Sequence, residues 1–230
     1  MNWSGYEWNI GQKWGIIHPE VTRQWYSDKA VIVDEYDNLH LLTHRDPKKF
    51  IIDDEEITSP FGIGLITSKE NFQYGYFEIE AKLPVGENLF PAFWIAGAYD
   101  WPPEIDIFEA STKKTQKYFD FNFTHKLYDV RYNIHYGDYP ATKAETGSKR
   151  GFLKKDPTRH FIKYALSWKE DKIEIFYDGK QVYENKDRKI LDQLNNEKDM
   201  TVILNNAVKK EHDGIGYSDF VIRNFKYEKY

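Results

Sequence analysis

The chain has 230 residues, 40% hydrophobic and 17% aromatic, with a formal net charge of −5 and no cysteine. That length suits one large domain, residues 1–230, and the aromatic content exceeds what a core alone requires, so some rings are expected to line a binding surface. The acidic balance argues against nucleic acid as a partner. The lack of cysteine excludes disulfides and zinc-thiolate sites. No apolar stretch approaches a membrane span, and the N-terminus, MNWSGYEWNIGQKW, lacks the features of a secretory leader. The expectation is a water-soluble chain, either intracellular as written or a mature form whose signal has been removed.

In chain order, β-like runs occupy 30–44, 61–69, 74–84, 90–98, 104–111, 130–137, 160–168, 172–184, 200–208 and 217–230. Most alternate apolar with polar residues and are rich in aromatic and β-branched side chains. Asp178-Gly179 is a two-residue hairpin signal, and Lys169-Glu170-Asp171 reads as another tight turn. The polar, lysine-rich stretch 142–159 reads as a long surface loop. Only 188–197 has helical spacing. About ten strands with almost no helix predict an antiparallel all-β fold, a sandwich or jelly roll before a closed barrel.

Within WPPEIDIFEAS (101–111) stand Glu104, Asp106 and Glu109. Strand alternation puts Glu104 and Asp106 on one face and Glu109 on the other. A β-bulge at Ile107 or Phe108 would reset the parity and bring all three to one groove. Two carboxyl groups about 5–5.5 Å apart are what retaining glycoside hydrolysis needs. Three neighbouring carboxylates cannot all ionise without cost, so such a site would hold a proton at neutral pH, with Asp106 hydrogen-bonded to Glu104. On spacing alone, an exposed acidic strand or a calcium site is the commoner reading.

The surrounding sequence narrows this choice. Ser68-Lys69, Phe72, Tyr74-Gly75-Tyr76-Phe77-Glu78, Lys82-Leu83-Pro84, Pro91-Ala92-Phe93-Trp94 and the Glu104–Glu109 run occur in one order. NIHYG, Trp168 to Gly179, LNNAV and DFVIR follow. Together these segments resemble glycoside hydrolase family 16, the laminarinase, lichenase, agarase and carrageenase clan, over roughly 60–230, with DNLHLLTH a looser match. The resemblance implies a β-jelly-roll sandwich with a substrate cleft on its concave sheet. It places Glu104 as nucleophile, Glu109 as acid/base and Asp106 as the assisting carboxylate. The E-x-D-x-x-E spacing resembles the bulged branch, associated with laminarinases and galactan-cleaving enzymes.

The same resemblance supplies substrate-binding candidates. Trp101 matches the tryptophan beside the cleaved sugar, and His135 a histidine across the cleft near the acid/base. Asn205 matches an asparagine bonding a sugar hydroxyl, and Glu78 a sugar-binding glutamate. Trp94 could face either core or cleft. Departures from the pattern fall at Glu80, where arginine is usual, and at Pro103, Phe90 and the residues after Val208, which leaves substrate choice open. Lys143, Lys149, Arg150, Lys154 and Lys155 read as a solvated loop or, if that loop overhangs the cleft, as a binder of anionic glycans.

The implied function is an endo-acting retaining β-glycanase on β-1,3 or β-1,3/1,4 glucan. The alternatives are an endo-β-galactanase on agar, carrageenan, keratan or mucin-type glycans, a transglycosylase, and a non-catalytic glycan-binding module. A polysaccharide substrate, a monomer and a secreted or periplasmic location go with this reading. The chemistry requires no cofactor and no metal in the site. The resemblance allows a structural calcium on the convex face, for which the sequence shows no local ligand run.

Overall fold

Alternation of apolar and polar side chains resolves into two antiparallel-rich sheets stacked face to face. The computed structural model describes residues 1–13, 15–18, 20–86, 88–110, 118–119, 126–137, 144–209 and 217–230. From the N-terminus run β1 (Asn2–Trp3), β2 (Tyr6–Ile10), β3 (Ile17–His18), β4 (Val21–Tyr26), β5 (Val31–Val33), β6 (Leu39–Ile52) and β7 (Glu55–Ile63). Next come β8 (Leu65–Ser68), β9 (Gly75–Lys82), β10 (Leu89–Gly97), β11 (Glu104–Glu109), β12 (Tyr118–Phe119), β13 (Lys126–Tyr136), β14 (Ala144–Glu145) and β15 (Lys149–Leu153). The chain closes with β16 (Ile162–Lys169), β17 (Lys172–Tyr177), β18 (Lys180–Asn185), helix α1 (Arg188–Asn196), β19 (Met200–Val208) and β20 (Ser218–Glu228).

The first sheet has the order β1-β2-β8-β19-β10-β11-β13-β12, with β14 and β15 also on β13. The second runs β18-β17-β16-β9-β20-β6-β7-β4-β3, with β5 on β6. Only β4 and β7 pair in parallel among the described strands. This is the expected all-β sandwich of jelly-roll type.

Local chemistry accounts for the joints. Asp178 and Gly179 both have positive φ, 51° and 77°, which the tight turn between β17 and β18 requires. The pairing of Lys169 with Lys172 leaves Glu170-Asp171 as the loop between β16 and β17. Helix α1 starts at Asp187, whose side chain accepts from the Lys189 amide at 2.9 Å. It buries Ile190, Leu191 and Leu194.

Between the sheets, one face of each strand supplies the core: Phe93 and Ile95 from β10, Ile105, Ile107 and Phe108 from β11, Phe77 and Ile79 from β9, and Tyr164 and Leu166 from β16. Phe108 and Tyr164 meet across the layers with ring centroids 4.3 Å apart. Asn206, fully buried, stitches the sheets by donating to the Leu41 carbonyl at 2.9 Å and to Ser218 Oγ at 3.1 Å.

The structure corrects one expectation of organisation. Within the stretch read as a surface loop, 142–159, of which 144–159 are described, β14 and β15 both pair with β13. Along KRGFL, Gly151 and Leu153 turn inward while Lys149, Arg150 and Phe152 stay exposed. Charged residues on an edge strand guard it against further pairing, and here they masked the strand pattern. The basic group is therefore not a free loop. Lys155 pairs with Asp178 at 2.8 Å, and Lys143 lies outside the described residues.

On the outer face of the second sheet, His40 of β6 sits between two carboxylates. Its Nδ1 is 2.9 Å from Asp219 Oδ2 and its Nε2 3.3 Å from Asp34 Oδ2. Burial lowers the imidazole pKa, but hydrogen bonds and charge from Asp219 and Asp34 outweigh it, and the net shift is upward from 6.5. A raised folded-state pKa stabilises fully below the unfolded value and is lost as pH rises through the folded value. The melting-temperature advantage of wild type over His40→Gln should therefore be full at pH 5.5–6 and shrink on titration towards pH 8.5. A constant difference over that range would contradict the assignment.

Candidate active site

The site forms on the face of the first sheet turned away from the core. Against β13, Asp106 faces Asn133 and Glu109 faces Arg131, so three steps on β11 match two on β13. Against β10, Phe93 faces Phe108 and Trp94 faces Asp106, leaving Ile107 as the extra residue. Ile107 and Phe108 are both fully buried in the core. The bulge thus sends two consecutive residues inward and returns Glu109 to the groove with Glu104 and Asp106.

A bulged peptide leaves backbone groups without ladder partners, and a buried one must find them elsewhere. Tyr177, from β17 of the opposite sheet, crosses the core and donates its hydroxyl to the Ile107 carbonyl at 2.9 Å. The Arg131 carbonyl lies within 3.2 Å of the same oxygen. Gly151 makes room for this ring: a Cβ there would fall 2.3 Å from Tyr177 Cε2.

Around the carboxylates, donors are distributed unevenly. Trp101 Nε1 donates to Glu104 Oε2 at 3.0 Å, and His135 Nε2 lies 3.3 Å from Glu104 Oε1. Asp106 is 2% exposed, and its Oδ2, without a hydrogen bond of good geometry, is 3.4 Å from His135 Nε2. Burial, then the charge of Asp106, pushes Glu104 well above the usual carboxylate range against the pull of His135 and Trp101. Burial and the charge of Glu109 push Asp106 up in the same way. Burial also raises Glu109, opposed by His135, Lys209 and Arg131. Trp101 gives Glu104 one donor and the His135 ring faces its other oxygen, and both favour the anion; Asp106, in the driest place, is hydrogen-bonded to Glu104, so the pair shares a proton.

Glu104, Asp106 and His135 also form the tightest grouping of potential ligand atoms among the described residues, all within 4.8 Å of one another. The Trp101 indole already engages one oxygen of Glu104 within this group.

The groove continues from the carboxylates across β10, β19, β8 and β2. One section of about 890 Å³ is lined by Asn9, Gln12, Thr67, Trp94, Trp101 and Thr201, among others. A smaller one of about 230 Å³ has Gln24, Phe90, Asn205 and all three carboxylates in its walls. Lys13 Nζ donates to the Tyr99 carbonyl at 2.5 Å, tying one wall to the other. Trp94 faces the groove, and its Nε1 donates to Asn205 Oδ1 at 2.8 Å. Asn205 in turn donates to the Phe90 carbonyl at 3.0 Å, so this amide is engaged in positioning the indole.

One expectation changes. Glu78 does not reach the groove. It lies on β9 in the second sheet, where Phe77, Ile79 and Ala81 point into the core and Tyr76, Glu78 and Glu80 point outward. There Glu78 pairs with Lys163 at 3.1 Å, and Glu80 with Arg223 at 3.3 Å. The glutamate at position 80 therefore removes no cation from the cleft. His135 is the cross-strand neighbour of Glu104, and its charge also acts on Glu109, near which it was expected.

Sequence reasoning missed Asn133, which shares the groove face with His135 two residues away, a parity signal that was available. It also missed Glu145, hidden in the stretch read as a loop.

The site is thus a groove on one sheet of a two-sheet sandwich, with three carboxylates brought to one face by a bulged strand. The pattern described as glycosyl hydrolases family 16 matches residues 20–212, and the chain belongs to that family. It is 30% identical over 169 residues to a glucan endo-1,3-beta-glucosidase of Cryptopygus antarcticus, covering 67% of this chain and 56% of that protein. The chain spans still less of several other curated relatives. In fold it is similar to the laminarinase catalytic domain of Thermotoga maritima MSB8, with a TM-score of 0.73, 22% identity, and coverage of 96% and 91% of the two chains. The laminarinase of Flavobacterium sp. UMI-01 gives a TM-score of 0.71 at 24% identity, covering 96% and 93%.

Because the bulge depends on a hydroxyl from the other sheet, Tyr177→Phe should cost about 1–3 kcal/mol by leaving the Ile107 carbonyl unpaired. Calorimetry should show Tm falling by roughly 2–4 °C per kcal/mol in a chain of this size. An unchanged Tm would show that the bulge is braced by something else.

Proposed function

We propose that the chain is an endo-acting, retaining β-glycanase that hydrolyses β-1,3- or β-1,3/1,4-linked glucan by double displacement. The observation that carries this reading is the asymmetry within the groove. Glu104 accepts from Trp101 on one oxygen and faces His135 on the other, which favours its anion, while burial favours the protonated form of Glu109 in the same groove. The family and the glucanase relatives favour glucan over galactan.

The mechanism follows from those states. A sugar bound against Trp94 and Trp101 presents its anomeric carbon to Glu104 and its glycosidic oxygen to Glu109. Glu109 gives its proton to the leaving oxygen as the C–O bond breaks, and Glu104 forms a glycosyl ester. Esterification removes the negative charge of Glu104, so Glu109 ionises more readily and can act as base. It takes a proton from water, which attacks the anomeric carbon, frees Glu104 and restores both groups. Asp106, buried and hydrogen-bonded to Glu104, shares a proton with it away from solvent. Each proton has a protein group to carry it, so the chemistry asks for no cofactor. A polymeric substrate points to a monomer working in a secreted or periplasmic setting.

Replacing either glutamate tests the assignment. Glu104→Gln and Glu109→Gln should each lose at least 10²–10⁴-fold in kcat on laminarin or lichenan while still binding oligosaccharide; near wild-type turnover in either variant would refute it. Agarose and carrageenan belong in the same substrate panel: cleavage of only these would move the substrate to a β-galactan, and binding without any cleavage would indicate a glycan-binding module. NMR of the first product formed should show the β-anomer, and an inverted product would exclude double displacement.

The pH profile has its own sign. Activity needs Glu104 ionised and Glu109 protonated. Thus kcat/KM should rise through one pKa and fall through another, both above the ordinary carboxylate range. A profile already flat at pH 4 would contradict the elevation of Glu104.

A further inference from the structure

A fourth carboxylate stands behind the catalytic cluster, on the short strand β14. Glu145 is the cross-strand neighbour of His135. Its Oε2 accepts from Asn133 Nδ2 at 3.0 Å and lies 3.4 Å from His135 Nδ1. The other ring nitrogen, Nε2, faces Glu104 at 3.3 Å and Asp106 at 3.4 Å. The imidazole is therefore bracketed, with one carboxylate outside the cluster and two inside it. His135 Nδ1 and Asp106 Oδ2 are two buried polar atoms here that lack a hydrogen bond of good geometry. Contacts of this kind shorten when substrate fills a site.

Asn133 fixes the direction of the protons. Its Oδ1 accepts from the Ile134 amide at 2.9 Å and from Thr146 Oγ1 at 3.0 Å, so the amide cannot be turned round. Its Nδ2 is left facing Glu145 Oε2 and, at 3.2 Å, His135 Nε2. With a donor at Nε2 and a carboxylate at Nδ1, the neutral ring carries its hydrogen on Nδ1. Nε2 is then the free base, aimed at the Glu104–Asp106 pair.

We propose that Glu145 is a positioning residue that holds His135 as the Nδ1–H form, so that Nε2 can take up the proton shared by Glu104 and Asp106 and leave Glu104 anionic for attack. The transfer is internal: the proton leaves a carboxyl oxygen, binds Nε2, and returns when the glycosyl ester is hydrolysed. The charged groups facing His135 are Glu104 and Asp106 on β11, with Glu109 further along, and Glu145 on β14. Its own strand contributes Arg131 beside Glu109. The ring of Trp101, 5.7 Å from the imidazole centroid, covers its remaining side. The negative charge of Glu145 also acts on Asp106 and Glu109, raising the pKa of both.

This inference rests on the retaining mechanism proposed above, so its test has a readout independent of turnover. Nitrogen-15 NMR of the His135 ring should give an Nδ1-protonated signature in the wild-type protein. In Glu145→Ala the ring should shift towards the Nε2–H tautomer, while Glu145→Gln, which keeps an acceptor without the charge, should retain Nδ1–H. In parallel, the acidic limb of kcat/KM for both variants should move up by about one pH unit. That is about a tenfold loss below the limb, with KM changed little. Identical ring signals and an unmoved acidic limb in Glu145→Ala would overturn the role of Glu145. Inactivity of the wild type on every glycan would instead sink the catalytic reading, and the ring signals would still report on the bracket.

Discussion

A single hydroxyl, delivered across the core from the opposite sheet, lets a strand carry one residue too many. The Ile107 carbonyl has lost its ladder partner, and water cannot reach it. Without Tyr177 the extra residue would leave a buried acceptor unpaired, and the regular ladder would be favoured. In a regular ladder Glu109 points into the apolar layer. The direction of the third carboxylate thus depends on a residue from another sheet, and the ring of that residue depends on the missing side chain of Gly151. The bulge therefore draws on both sheets and on an edge strand.

Given the three acids on one face, their roles come from unequal surroundings. All three are pushed towards the protonated form by burial, and charge repulsion among them adds to it. What separates them is the company each keeps: an indole and an imidazole beside Glu104, the same imidazole without the indole beside Asp106, and the cations Lys209 and Arg131 near Glu109. Three similar side chains can therefore occupy different protonation states, which acid–base catalysis requires. Asn205 and Trp94 extend the same logic to binding, because the amide uses its hydrogen bonds to hold an aromatic face towards the groove.

Much of this was legible in the residues. The parity conflict in EIDIFE demanded a bulge, and the register supplies it at Ile107. Asp178-Gly179 and the spacing of 188–197 marked a hairpin and a helix that both formed. Alternation along GYFEIEAK sets Glu78 on the face opposite Phe77 and Ile79. It could not say which sheet the strand would join, and that long-range choice removed Glu78 from the groove. The neighbours of His135 depend on register between strands distant in sequence, which no local pattern encodes. In KRGFL, charge on an edge strand outweighed the alternation of Gly151 and Leu153, and Glu145 was hidden along with it.

Seen as inheritance, the bulge is the gain or loss of one codon. Its two partners, Ile107 and Tyr177, lie 70 positions apart. A lineage that dropped the codon alone would leave the tyrosine hydroxyl only its longer contact with the Arg131 carbonyl, and one that changed the tyrosine alone would strand a carbonyl. The length of the catalytic strand and the identity of a distant aromatic residue are therefore expected to change together. When such sequences are aligned, the gap belongs at the inward-facing residue, not beside either glutamate.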